Sequence, residues 1–181
     1  MPVITVCMLD RPAGACLKDL SAAIAAAFGA EVRPVLMVLD ISPAFDADRG
    51  QFEAGALLKL LESRIPPSEA KVVAITSEDL FTPILSFAFG EAERAGRLAV
   101  VSLHRLRTGF YGLPESSDVL LERLRKETIH ELGHTFGLTH CPVRHCPMHP
   151  SNSAEDLDLR GTTLCQDCRR GIVVRHVKKY K

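Results

Sequence analysis

The sequence predicts an α/β fold in which a mostly parallel sheet is covered by helices. Short β-rich apolar runs alternate with Ala- and Leu-rich helical runs, and a strand–helix–strand–helix–strand order implies parallel strands. The 181 residues suffice for one domain with a real hydrophobic core. Hydrophobic residues make up 46% of the chain and charged residues 24%, which is typical of a globular protein.

The first half of the chain contains the alternating elements. In chain order we expect a strand at 3–9, a helix at 16–28, a strand at 32–39, a helix at 52–65 and a strand at 71–76. The second helix is indicated by Leu57, Leu60, Leu61 and Ile65, which recur at helical spacing, and the next two residues, both prolines, end it.

The pattern weakens after residue 80. Phe87, Phe89 and Glu91 alternate with smaller residues, which predicts a strand at 87–91 with one apolar face, and residues 98–103 form a further strand. Ser116 then supplies N-cap chemistry for a long helix.

That long helix is the most informative element. One of its faces is apolar at helical spacing and comprises Leu121, Leu124, Thr128, Leu132 and Phe136. At about 100° per residue, His130 and His134 point to the opposite side. We therefore expect one face to anchor the helix to the sheet and the other to offer two imidazoles to a cleft.

The run from His130 to His140 has the composition of a catalytic zinc site. His130 and His134 are one turn apart, close enough to hold a single ion at about 2.0–2.1 Å each. Gly137 can adopt the left-handed conformation that ends a helix, so the chain can turn back and deliver His140 as a third ligand. Three neutral imidazoles leave a fourth position open for water, as in catalytic rather than structural zinc sites.

Glu131 follows the first of these histidines directly, so its carboxylate can reach the water instead of the metal. Zinc lowers the pKa of such a water from about 15.7 to about 7. Glu131 is then expected to act as general base and to pass the proton to the leaving amine. A bare His-Glu-x-x-His pattern also occurs in helices that bind no metal, but Gly137 and His140 at fixed offsets make this motif specific.

Four cysteines predict a second zinc site. Cys141 and Cys146 are separated from the Cys165–Cys168 pair by 18 intervening residues, a usual spacing for four-thiolate structural zinc. Such a site has no open position and is expected to fold the C-terminal lobe. A disulfide pair or free thiols are the alternatives, which the lack of an export signal disfavours.

The remaining metal-binding residue types receive weaker interpretations. His145 and His149 could each replace a cysteine, bridge to the first site or be ordinary loop histidines. Cys7 and Cys16 have no partner at ligand spacing and are interpreted as small core residues.

Together these motifs resemble the archaemetzincin family of metzincin-type zinc metallopeptidases. The resemblance is carried by residues 130–141, Cys146, Met148 and the run 165–168. It implies a metzincin-like zincin fold, with a twisted mixed sheet, covering helices and an active-site helix. It also implies one domain, 1–181, with an upper part at 1–137 and a small zinc-stabilised lower part at 138–181. Met148 would form the Met-turn beneath the catalytic zinc.

The same resemblance implies a peptidase that acts on peptide or protein substrates and holds two zinc ions, one catalytic and one structural. Endopeptidase and aminopeptidase action both stay open, as does the natural substrate. In metzincins the lowest strand of the sheet runs antiparallel to bound substrate, and the analogous segment here is 87–91. The alternative function is a zinc-stabilised protein-binding module whose first site is hydrolytically idle, although such a module has no need of Glu131.

Composition argues against other functional classes. The formal net charge is zero and aromatic residues make up only 6% of the chain, which disfavours nucleic-acid binding, and the basic residues at 175–181 are interpreted as a solvated tail. No apolar run approaches the roughly 20 residues of a membrane span, and the N-terminus lacks the pattern of a secretory signal. We therefore expect a cytoplasmic monomer.

Overall fold

A computed structural model describes residues 2–9 and 14–178, without the side chains of 14–16 and 173–178. The interpretations of Cys16 and of the basic tail therefore lie outside the described side chains. In chain order the elements are β1 (Val3–Met8), α1 (Gly14–Phe28), β2 (Glu31–Leu36), β3 (Phe45–Asp46), β4 (Gln51–Glu53), α2 (Ala54–Arg64), β5 (Lys71–Thr76), β6 (Leu80–Thr82), β7 (Leu85–Ala88), β8 (Gly90–Ala92), β9 (Leu98–Ser102), α3 (Ser117–Thr135), α4 (Ala154–Asp158) and α5 (Gln166–Lys178).

The main sheet has five strands in the order β2-β1-β5-β9-β8. The first four are parallel to one another, and β8 pairs antiparallel with β9. The mixed α/β architecture predicted from the sequence is thus confirmed. The predicted strands at 3–9, 32–39, 71–76 and 98–103 correspond to β1, β2, β5 and β9.

Alternate residues of the central strands face two separate cores. Val73 and Ile75 of β5 face the core that contains α1 and α3, whereas Val72 and Ala74 face the core that contains α2. All four side chains are at most 1% exposed. Burial on both faces explains why these strands are continuous apolar runs rather than alternating ones. Cys7, on β1, lies in the second core, as predicted.

A second sheet of four short strands, in the order β3-β4-β6-β7, was not predicted. Two predicted boundaries are wrong because of it. Residues 51–53 form β4, so α2 begins at Ala54 rather than at 52. The single strand predicted at 87–91 is two strands, because β7 ends at Ala88 in the small sheet and β8 begins at Gly90 in the main sheet. Phe89 is the crossing point between the sheets.

Helix α3 packs across the main sheet by most of its predicted apolar face, but Leu121 is only partly buried and Leu120 packs against the core instead. Its N-cap is Ser116, whose hydroxyl accepts a hydrogen bond from the Val119 backbone N–H at 3.3 Å. The residues that anchor it are almost fully buried: Leu124, Thr128, Ile129 and Leu132. Among the described helices, none combines the length and the apolar content that crossing a bilayer requires.

The end of α3 is tied to the sheet by a buried cation. The Nζ of Lys71, on β5, donates a hydrogen bond of 2.7 Å to the carbonyl of Thr135, the last residue of the helix. A cation is favourable there because the carbonyl end of a helix carries partial negative charge. The ring of Phe136, one residue further on, stacks on that of Phe28 with centroids 4.9 Å apart. These contacts fix the end of α3 against β5 and against α1.

Candidate metal centres

The turn after α3 brings the third histidine back to the helix. The N–H of Gly137 donates to the carbonyl of His134 at 2.8 Å, and the N–H of Leu138 donates to that of Gly133 at 3.0 Å. This pair of bonds is the Schellman arrangement, which requires a left-handed residue, and Gly137 has a φ of 84°. His140 follows three residues later, and one nitrogen of each of the three imidazoles lies within 4.8 Å of the others.

The hydrogen bonds of two imidazoles fix their tautomers. His130 Nδ1 is 2.7 Å from the Pro147 carbonyl, and His134 Nδ1 is 2.9 Å from the Leu138 carbonyl. A carbonyl only accepts, so each neutral ring carries its proton on Nδ1 and has a lone pair on Nε2. The two Nε2 atoms nevertheless face each other at 3.0 Å. Two lone pairs so placed fit a shared cation, and zinc at about 2.0–2.1 Å from each nitrogen matches this donor set.

Burial keeps these imidazoles neutral. It lowers the pKa of His130 well below its usual value, with a further contribution from the nearby Arg160 guanidinium. Burial also lowers the pKa of His134 and, at the rim of the site, that of His140. Neutral imidazole is the form that binds a metal ion, so the protein prepares the ligands for binding at neutral pH.

Glu131 lies beside the histidines and is 5% exposed. Burial raises the pKa of its carboxyl well above the usual value, and the carboxylates of Glu127 and Glu91 raise it further. The side chain passes close to the backbone of β8: a Cβ on Gly90 would lie 2.7 Å from Glu131 Cγ and 2.8 Å from the Val100 carbonyl oxygen. Glycine at this point of the edge strand leaves the space that the glutamate occupies.

The three histidines and Glu131 line a cleft of about 610 Å³. Its upper wall is the segment Leu85–Ala92, which includes β7 and β8, and its lower wall contains residues 150–152 and Arg160. A cleft of this size fits a peptide segment, since ligand sites usually span about 300–1,000 Å³. The sequence-predicted residues therefore meet in one open groove.

The four cysteines form a separate cluster. Cys141 Sγ is 3.7 Å from Cys165 Sγ, and Cys146 Sγ is 3.8 Å from Cys168 Sγ. Sulfurs at about 2.3 Å from a common tetrahedral centre lie about 3.8 Å apart, whereas a disulfide bond is about 2.05 Å long. The four thiols thus fit a zinc ion and do not fit the disulfide alternative.

Hydrogen bonds around Cys165 favour its thiolate. Burial raises the pKa of this thiol, but the backbone N–H of Cys168 and the neighbouring thiols outweigh that effect and lower it. His145 is exposed, while His149 Nδ1 donates to the carbonyl of Cys141 at 2.9 Å. Neither belongs to a described group of metal-ligating side chains. His149 thus braces the backbone next to one cysteine.

Met148 is fully buried beneath the helix that carries the histidines. Its backbone carbonyl accepts a hydrogen bond of 2.9 Å from the N–H of Cys141, which closes the loop between them. Its side chain fills the space over Gly133, where an added Cβ would overlap Met148 Sδ and would lie 3.1 Å from Met148 Cε. Gly133 therefore lets the methionine approach the helix between His130 and His134.

Gly133→Ala is expected to destabilise the protein by about 1–3 kcal/mol, because the new methyl group collides with Met148. In a Met148→Ala background the same change is expected to stabilise by about 0.5–1 kcal/mol, because alanine favours a helix interior over glycine. Urea unfolding of the four proteins measures both effects. An effect of the same sign in the two backgrounds would contradict this contact.

Comparison with known proteins decides the family. The model of peptidase family M54 matches residues 33–173, which is more than half of the chain. The chain belongs to peptidase family M54. A curated M54 relative, the archaemetzincin of Methanocaldococcus jannaschii, is 43% identical over 134 residues, which cover 74% of this chain and 73% of that protein. The resemblance to archaemetzincins, which are zinc metallopeptidases, is thereby confirmed.

Solved structures of M54-like proteins share the fold. The crystal structure of archaemetzincin from Methanopyrus kandleri has a TM-score of 0.85 at 33% identity, covering 97% of this chain and 96% of that one. A zinc-dependent peptidase from Methanocorpusculum labreanum has a TM-score of 0.82 at 28% identity, covering 93% of this chain and 99% of that one. The predicted metzincin-like fold is therefore confirmed.

Several residues of this M54 site escaped the sequence analysis. Gly90 and Gly133 each make room for a side chain of the site, and a glycine has no sequence pattern that reveals such a role. Neither Glu127 nor Arg160 was predicted as a site residue from the sequence. Both are buried next to the site, which a residue's type alone does not indicate. An i, i+4 pair of glutamates on the face that carries the histidines was the one available signal.

Proposed function

We propose that this protein is a zinc metallopeptidase in which His130, His134 and His140 hold the catalytic ion and Glu131 is the general base. One observation carries the proposal: the Nε2 lone pairs of His130 and His134 converge in an open cleft, next to a buried carboxyl group. The proposal assigns a second, structural zinc ion to Cys141, Cys146, Cys165 and Cys168.

A zinc ion in the histidine site would supply a Lewis acid that acidifies water and polarises the scissile carbonyl. Glu131 would accept the proton of the attacking water and deliver it to the leaving amine. Burial raises the pKa of the Glu131 carboxyl, which makes this carboxylate a stronger base than an exposed glutamate. Both roles need a carboxyl group within the cleft that is not itself a metal ligand, and the position of Glu131 meets this requirement.

The substrate is proposed to bind as an extended strand along β8. Among the strands that the structure describes, β8 pairs only with β9, so its other edge borders the cleft. An edge strand binds a peptide through backbone hydrogen bonds with little dependence on sequence. This refines the predicted substrate segment 87–91 to Gly90–Ala92.

One hydrophobic core contains side chains from both the upper part and residues 138–172, which supports the proposal of a single domain.

Digestion of a mixed peptide library tests the proposed function. The zinc-loaded protein is expected to cleave peptides, activity is expected to disappear after treatment with a chelator, and zinc is expected to restore it. Mass spectrometry of the products also separates endopeptidase from aminopeptidase action. Zinc bound at the histidines with no cleavage of any peptide would instead support the protein-binding module.

A further inference from the structure

Arg160 is a charged side chain buried beside the histidine site. The residue is 4% exposed, and its side chain is 1% exposed. A guanidinium in such a place is costly unless it is paired and hydrogen-bonded. Within the described part of the chain its side chain has three hydrogen-bond partners: Nε donates to Ser151 Oγ at 2.5 Å, and Nη1 donates to Pro147 O at 3.1 Å and to Glu127 Oε2 at 3.3 Å.

The first important partner is the carbonyl of Pro147. The same oxygen accepts the 2.7 Å hydrogen bond from His130 Nδ1 that fixes the tautomer and the ring orientation of this histidine. Arg160 therefore fixes the Pro147 carbonyl group, which in turn orients the His130 ring. Outer partners of this kind orient a ligand and tune its affinity for the metal.

The second important partner is Glu127, one helical turn before Glu131. Both residues lie on α3 and are at most 5% exposed, and the Glu127 carboxylate raises the pKa of Glu131. Arg160 binds the other side of this pair through Glu127 Oε2. Glu127 is thus held by Arg160, and it lies one helical turn from Glu131 in the same buried region.

We propose that Arg160 and Glu127 are positioning residues of this site, a role whose catalytic half rests on the proposed peptidase function. Arg160 orients His130 through the Pro147 carbonyl, and it orients Glu131 through Glu127. These two sets of contacts predict different effects when Arg160 or Glu127 is replaced. Loss of Arg160 disturbs both the metal ligand and the base, whereas loss of Glu127 disturbs only the base.

The chain offers a matched control in Arg123. Its guanidinium is also buried and forms two hydrogen bonds to the carboxylate of Asp158, at 2.7 and 2.8 Å. This pair connects α3 to Asp158 at the end of α4, and the Arg160–Glu127 pair connects α3 to the chain two residues further on. The Arg123–Asp158 pair does not line the cleft. If Arg160→Met acted only by loosening the packing of α3 against this segment, Arg123→Met should have the same effect on kcat and zinc affinity.

The experiment compares zinc affinity and kinetics in four variants. Zinc affinity is measured by competition with a chelator, with His140→Ala used to identify the transition of the histidine site. Kinetics use one peptide that the wild type cleaves. Arg160→Met is expected to weaken zinc binding about 10–100-fold and to lower kcat about 10–100-fold. Glu127→Ala is expected to lower kcat in the same range, with zinc affinity and KM within about twofold.

The other two variants separate positioning from folding. Glu127→Gln is expected to restore most of the kcat that alanine loses, because its amide oxygen can accept from Arg160 and its NH₂ can donate to Glu131. Arg123→Met is expected to lower the melting temperature without changing kcat or zinc affinity. If Glu127→Ala does not fold, Glu127→Ala/Arg160→Met removes both charges and is expected to show the losses of Arg160→Met.

Two results would overturn the assignment: Arg160→Met that lowers only the melting temperature, as Arg123→Met does, or Glu127→Gln that is as slow as Glu127→Ala. Failure of the proposed function gives a different result, namely a wild type that cleaves no peptide. In that case the zinc affinities of Arg160→Met and Arg123→Met still decide whether Arg160 positions His130.

Discussion

Glu131→Gln is expected to lower kcat about 10²–10⁴-fold while both zinc ions stay bound. Glutamine keeps the volume of the buried side chain, but it cannot accept a proton from water. The metal ligands are separate side chains, so their geometry is expected to persist. Steady-state kinetics on a library-derived peptide and elemental analysis of zinc per chain measure the two parts.

The control for this change is Glu122→Gln on the same helix. Glu122 is half-exposed and forms ion pairs with Arg125 and with the buried Lys126, and none of these residues lines the cleft. This variant is expected to keep the wild-type kcat. Full turnover in Glu131→Gln would remove Glu131 as the base and would leave the metal to act with another proton acceptor.

Cys165→Ser is expected to reduce the zinc content from two ions per chain to one and to lower the free energy of unfolding by at least about 3–5 kcal/mol. A serine hydroxyl does not replace a thiolate ligand, and structural zinc sites contribute about 10–16 kcal/mol to the folding of zinc-finger peptides. The cluster joins the loop that contains Met148 to α5, so its loss is expected to loosen the lower part first. Elemental analysis and urea unfolding give the two values, and hydrogen exchange locates the loosened region.

Two histidine variants distinguish this effect from a general loss of metal. His140→Ala is expected to remove the other zinc ion and to lower the free energy of unfolding less than Cys165→Ser does, because His140 is exposed at the rim of the cleft and only the stabilisation from zinc binding at that site is lost. His145→Ala, in the exposed loop between Cys141 and Cys146, is expected to keep both ions. A wild-type zinc content of one ion per chain would show that the four-cysteine proposal is wrong.

The elements of the main sheet could be predicted because their signal is local and strong. The strand at 71–76 was predicted with the bounds that β5 has, since a doubly buried strand is a continuous apolar run between turn residues. The small sheet could not be predicted, because β3, β4 and β6 have two or three residues each, too few to show a period of two. The same shortness hid the crossing at Phe89 between β7 and β8.

For the site, the sequence by itself determined which histidines come together at the end of α3 and which cysteines form the second cluster. Helical geometry places His130 one turn from His134, and a left-handed Gly137 brings His140 back, so covalent spacing alone converges these imidazoles. The cysteine spacing similarly limits which thiols can share an ion.

Only the tertiary structure decided how that constellation is supported. Arg160 reaches Glu127 across 33 residues of sequence, and Pro147 reaches His130 across 17. Gly90 leaves space for Glu131 from a different strand. No local pattern records such contacts, because they depend on how separate elements pack, and a buried charge is recognised as part of a site only when its partners are known.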